Sequence, residues 1–177
     1  DRPGAVQADV RLGGFGIDRT DPRWPALRLG AFVLGGGFLS RLNRVLREER
    51  GYTYGVVAAM VNFEQAGYFA VATQVGTDVT RDALREIYAE IERLRTEPMP
   101  DEELSLVKNI MIGEMMRILD GPFGIADVTI ENILCGRDHT VIGENIRRIQ
   151  AMTPADVQRL AQKYLAREDL VTVIAAN

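Results

Sequence analysis

The sequence predicts an α+β domain, a mainly antiparallel sheet with helices packed mostly on one face. Three observations predict it. Two runs rich in valine, aromatic and small residues are joined by a short turn; a block of amphipathic helices follows them; and strand-like segments stand near both ends of the chain. Strands joined by a hairpin run antiparallel, and a block of helices covers one sheet face most economically.

The elements follow in order. Val6, Ala8, Val10 and Leu12 recur at every second residue between Ala5 and Leu12, the period of a half-buried strand. The stretch GGFGIDRTDP reads as a loop. From Trp24, the spacing Leu27, Ala31, Leu34 is a helical stripe that runs into Gly35-Gly36-Gly37, where the chain should break or bend. A second short helix sets Leu39, Leu42, Val45 and Leu46 on one side and Arg41, Arg44 and Arg47 on another, and Gly51 supplies its C-terminal cap. Tyr54 to Phe63 and Tyr68 to Val75 form the hairpin, turning at Glu64-Gln65-Ala66-Gly67.

Next comes a helix with Ala83, Leu84, Ile87, Tyr88, Ile91 and Leu94 on its apolar face, stopped by Pro98 and Pro100. Leu104, Val107, Met111, Met115 and Ile118 mark another, ended by Gly121-Pro122, with Met111, Met115 and Met116 read as core or near-core filling. Further helices are expected around Phe123, Ala126, Ile130 and Ile133, around Ile142, Ile146 and Ile149, and after Thr153-Pro154-Ala155-Asp156, a capping-box start. Leu170, Val171, Val173 and Ile174 suggest a last strand inserted beside the first.

With 177 residues, 46% hydrophobic and 26% charged, the chain can fill one core, and a single domain over residues 1–177 is expected. It starts DRPGAVQADV, without Met or a signal-peptide core, as a piece excised from a longer chain would. A net charge of -4 gives no basic field for nucleic acid or an anionic membrane, and no apolar run reaches the ~20 residues of a membrane helix. The compartment stays open, with bacterial periplasm and cytoplasm both compatible.

Cys135 and His139 are the only residues of their kinds, so a disulfide within the chain and a two-histidine zinc motif are both excluded by count. No metal site is expected. His139 lies in the polar stretch GRDHT as a solvated or capping residue, and Cys135 at a helix end as a small hydrophobe. Neither Gly13-Gly14-Phe15-Gly16 nor Gly35-Gly36-Gly37 continues into a phosphate-binding pattern, and Asp101-Glu102-Glu103 suits a helix N-terminus without a metal.

The segment LGGGFLSRLNRVLREERGYTYGV, Leu34 to Val56, carries the functional signal. By residue type and spacing alone, Arg47 extends a solvated basic face, with Glu48 pairing to Arg44, and Tyr54 is a strand aromatic. The segment, however, resembles the C-terminal, zinc-free domain of the pitrilysin and insulinase peptidases, which include the mitochondrial processing peptidases. There a glycine-rich turn precedes a helix ending in Leu-Arg, then a glycine, then a tyrosine seven residues after the arginine. Arg47 and Tyr54 have that spacing, with Gly51 and Gly55 around the tyrosine.

The resemblance implies a clamshell in which a zinc-bearing half, in the same precursor or a separate subunit, activates water. This chain would complete the catalytic site and peptide chamber. Arg47 and Tyr54 are then the catalytic and substrate-binding residues: Tyr54 donating to the oxyanion, Arg47 offering a cationic fork to a carbonyl or the same oxyanion. Zinc is expected in the partner half, peptides as substrate, and no peptide hydrolysis by this chain alone. A homodimer of the isolated domain stays open. The rival reading is a non-enzymatic scaffold or peptide-binding subunit of the same fold.

Overall fold

The computed structural model describes residues 1–177. In chain order the elements are β1 (Gln7–Phe15), α1 (Trp24–Gly35), a π-helical segment (Asn43–Glu49), β2 (Val56–Asn62), β3 (Gly67–Gly76), α2 (Thr80–Thr96), α3 (Asp101–Ile118), α4 (Pro122–Leu134), α5 (Thr140–Ala151), α6 (Pro154–Tyr164) and β4 (Val171–Ala175). The sheet runs β2-β3-β1-β4 with every neighbouring pair antiparallel. The α+β class, the hairpin and the placing of the last strand beside the first all match the sequence expectation.

β1 runs further than its alternation suggested. Gly13, Gly14 and Phe15 stay paired with Ala70, Phe69 and Tyr68, so the expected GGFG loop is strand for its first three residues. β1 is an interior strand, and ladder bonds to β3 and β4 offset the entropy that two glycines cost.

The two-residue period sorts the sheet into faces. Val10, Leu12, Val56, Ala58, Phe69 and Val71 point to one side, where they join Leu29 and Leu34 of α1 and Ile87 and Ile91 of α2 in a cluster of 34 buried residues. The other side is free of helices. Across it run the rows Val57–Ala72–Arg11–Val173 and Ala59–Ala70–Gly13–Val171, with Arg11 paired to Asp9 at 2.9 Å. α1 ends at Gly35 as the glycine run predicted. A side-chain carbon at Gly35 would collide with the backbone nitrogen of Ala58, so only glycine lets the helix end lie this close to β2.

Several faces differ from the periodic reading. Leu39 is exposed in the turn before the second helix, and Met116 is exposed while Met111 is buried. The α4 stripe of Phe123, Ile130 and Ile133 faces solvent, and the only buried residue of α4 is Asn132. The face that α4 turns inward carries Asp127, Val128, Glu131 and Asn132, which line a cavity of about 510 Å³ shared with residues of α1 and α5.

Thr153 and Asp156 form the expected capping box at the start of α6, each side chain bonded to the other's backbone N–H. The bonds from the Thr153 hydroxyl and backbone hold the Asp156 carboxyl below its ordinary value of 3.8. A carboxyl lowered in the folded state stabilises above its unfolded pKa and loses that contribution as pH falls through the folded one. Thr153→Ala should therefore cost about 1 kcal/mol in urea unfolding at pH 7. The gap to wild type should narrow below pH ~4; a gap that widens there would contradict the assignment.

Candidate functional site

The segment from Leu34 to Val56 is held by one buried side chain. Asn43, 4% exposed, donates through Nδ2 to the carbonyl oxygens of Val56 (2.8 Å) and Gly37 (3.0 Å) and to Ser40 Oγ (3.1 Å). Its Oδ1 accepts from the Val56 N–H at 3.1 Å. The glycine turn, the helix start and the first residue of β2 thus share one clamp. An asparagine on the apolar side of a helix was the available signal, and sequence reading passed over it.

The helix itself is wider than an α-helix. The Arg50 N–H reaches back five residues to the Val45 carbonyl at 3.0 Å, and the Tyr52 N–H bonds to the Leu46 carbonyl at 2.8 Å. Gly51 follows at φ +66°, the left-handed conformation expected of a C-terminal glycine. Gly51→Ala should cost about 1 kcal/mol, readable as a lowered urea midpoint at unchanged slope. Beyond it, the Thr73 hydroxyl of β3 lies 3.0 Å from both Thr53 Oγ1 and the Gly55 carbonyl, which fixes the turn that presents Tyr54.

Arg47 and Tyr54 both project outward. Tyr54 is 94% exposed and edges a shallow cleft of about 240 Å³ with Gln7, Arg11, Thr53 and Gln74. Arg47 does not line that cleft. Its guanidinium lies 4.8 Å from the centre of the Phe38 ring, a cation–π contact, and it has no carboxylate within 4 Å. Within this chain the two side chains are therefore not joined in one cavity.

The expected solvated basic face also divides. Arg41 is not solvated: its Nε and NH2 bind the two oxygens of Glu103 on α3 at 2.8 and 2.6 Å. That carboxylate raises the Arg41 pKa against the opposing effect of burial. Arg44 approaches Glu49, at 3.9 Å, in place of Glu48. Arg47 is left as the cation of the three with neither bond nor ion pair.

No group of three or more His, Cys, Asp or Glu side chains is placed to hold a metal ion. His139 is exposed just before α5, where Asp138 does the capping, accepting from the Thr140 N–H at 2.8 Å. Cys135 is half-buried at the end of α4. No helix is long and apolar enough to cross a membrane. A surface cleft of about 690 Å³ lies along α2 beside Arg81, Tyr88 and Arg167 and contains neither Arg47 nor Tyr54.

Comparison with known proteins gives this geometry a family. The chain is 29% identical over 168 residues to an uncharacterized zinc protease of Streptomyces coelicolor, covering 95% of this chain and 37% of the relative. A crystal structure of a peptidase M16 inactive domain from Pseudomonas fluorescens superposes with a TM-score of 0.84 at 26% identity, over 97% of this chain and 41% of that one. A chain of complex III from Candida albicans shares the fold, with a TM-score of 0.83 at 14% identity over 97% of this chain and 43% of that one. This chain thus spans about two fifths of the length of each. The model of the peptidase M16 inactive domain matches residues 1–111, which include Arg47 and Tyr54, and the chain belongs to that family.

Proposed function

We propose that this domain completes the site of a zinc endopeptidase whose metal is held by another domain or subunit, with Arg47 and Tyr54 reaching the substrate. The observation that carries the reading is the contrast around Asn43. A buried clamp fixes the backbone on both sides of the pair, while the two side chains find no hydrogen-bond partner inside the chain. Ordered backbone under outward-facing polar groups is what preorganised recognition requires.

In this reading zinc held by the partner half would supply the activated water. The Tyr54 phenol donates its O–H to the oxygen on which negative charge develops as the peptide carbonyl becomes tetrahedral. Arg47 holds a neighbouring carbonyl or the same oxygen through its planar fork, steadied by Phe38 behind it. The exposed Phe38 and Leu39 beside Arg47 add apolar surface that a partner half or a peptide would cover. The test is peptide hydrolysis by the domain joined to its zinc-bearing half, with Tyr54→Phe and Arg47→Ala measured separately. Full activity in both variants would refute the assignment.

The likeness to a chain of complex III supports a second reading, a scaffold or peptide-binding subunit without hydrolysis. The discriminating measurement is zinc content and peptide hydrolysis of the full-length protein that carries this domain. Absence of both favours the scaffold.

A further inference from the structure

The cavity under α4 has a composition unlike an ordinary packing defect. Its lining combines the apolar Trp24, Met60, Met115 and Val141 with the polar Arg28, Asn132 and Asn145. A volume of about 510 Å³ lies within the ~300–1,000 Å³ range of small-molecule sites.

Three polar side chains there have no partner within the protein. Asn132 is 6% exposed, and its buried Nδ2 has no hydrogen-bond partner. Asn145 is likewise buried, and its amide makes no bond to the protein. Arg28 lies 5.4 Å from the centre of the Trp24 ring and forms neither a hydrogen bond nor an ion pair. Burial, with repulsion from Arg19, lowers its pKa against the pull of Glu114 and Glu131.

The other two arginines of the cavity are engaged. Arg19 pairs with Glu131 at 3.1 Å. Arg137 lies 3.7 Å from Glu144 and 3.4 Å from the carbonyl oxygens of Arg19 and Thr20. Arg19 and Arg137 thus each have a carboxylate within 4 Å, and Arg28 is the positive charge of the cavity without one. A single anionic group balances it; a dianion would face the rim carboxylates.

We propose that this cavity binds a carboxylate carried on a short branched apolar body. Arg28 and the two asparagine amides take the carboxylate, and the Trp24, Met60, Met115 and Val141 wall takes the apolar part. The same chemistry occurs in a free branched-chain acid and at the C-terminal residue of a peptide. The site stands apart from Arg47 and Tyr54 and does not depend on the peptidase reading.

Trp24 is the only tryptophan of the chain, so its fluorescence reports directly on the cavity. The chain is titrated with 4-methylpentanoate, with an acetylated tripeptide ending in leucine, and with the amide of each, and binding is checked by calorimetry. At least one acid should give a saturable change that its amide does not. Saturation by the free acid alone identifies a small-molecule site, and saturation by the peptide a C-terminus site. Arg28→Gln should weaken binding roughly tenfold. Should that variant fold poorly, Glu131→Gln at the exposed rim decides, because it removes one acid and releases Arg19, and binding should tighten. No saturable change with either acid, equal binding of acid and amide, or affinity unmoved by Glu131→Gln would overturn the proposal.

Discussion

Tyr54→Phe, in the domain joined to its zinc-bearing half, should lower kcat about 10²- to 10³-fold, the usual loss on removing one oxyanion donor. KM should change little, because the bond to the phenol forms as charge develops and is weak to a ground-state carbonyl. The substitution deletes a single oxygen from a side chain that is almost wholly solvent-exposed, so urea unfolding of the variant should match wild type. That match separates lost chemistry from lost fold. Arg47→Ala should behave differently, with a larger share of its effect in KM if the guanidinium holds a substrate carbonyl throughout the reaction. Its stability cost is confined to one exposed contact with Phe38. Wild-type kcat in Tyr54→Phe would remove the tyrosine from the reaction whatever Arg47 does.

Asn43→Leu should produce the largest stability loss of any substitution in the segment. Leucine shares asparagine's branched outline but can neither donate to the Val56 carbonyl nor accept from the Val56 N–H, and Val56 is itself buried. Two backbone groups are then left without partners, each at a cost of ~1–3 kcal/mol, so a loss of about 3 kcal/mol is expected. Urea unfolding reads it directly. A loss under about 0.5 kcal/mol, the range of ordinary surface substitutions, would show that the clamp does not hold the segment. In the joined enzyme Asn43→Leu should also depress kcat although the side chain is buried away from substrate.

Much of the fold was legible because the relevant signals are local. Alternation in β1 and in the Val56–Asn62 and Gly67–Gly76 pair, proline stops around α2 and α3, and the Thr153 box each depend on residues within a few positions of one another. What was misread depends on distant partners. Arg41 looked solvated beside Arg44 and Arg47 because its carboxylate, Glu103, lies 62 residues further on. The α4 stripe looked like core because a helical period shows that a face is apolar without showing what covers it. The π-helical turn leaves no compositional mark, since the shift from the fourth to the fifth preceding carbonyl changes no residue type. Arg47 and Tyr54 stood out only through a family spacing. Arg28 and Asn132 carried no signal at all, being 104 positions apart until the fold sets them around one cavity.

The bonds from Asn43 to Val56 close residues 43–56 into a ring, and the Thr53–Thr73 contact rivets it to β3 beside that closure. A ring so fastened has no joint between Arg47 and Tyr54. Whatever swing of the whole domain carries one of them towards a bound peptide carries the other by the same arc, as two teeth on one jaw.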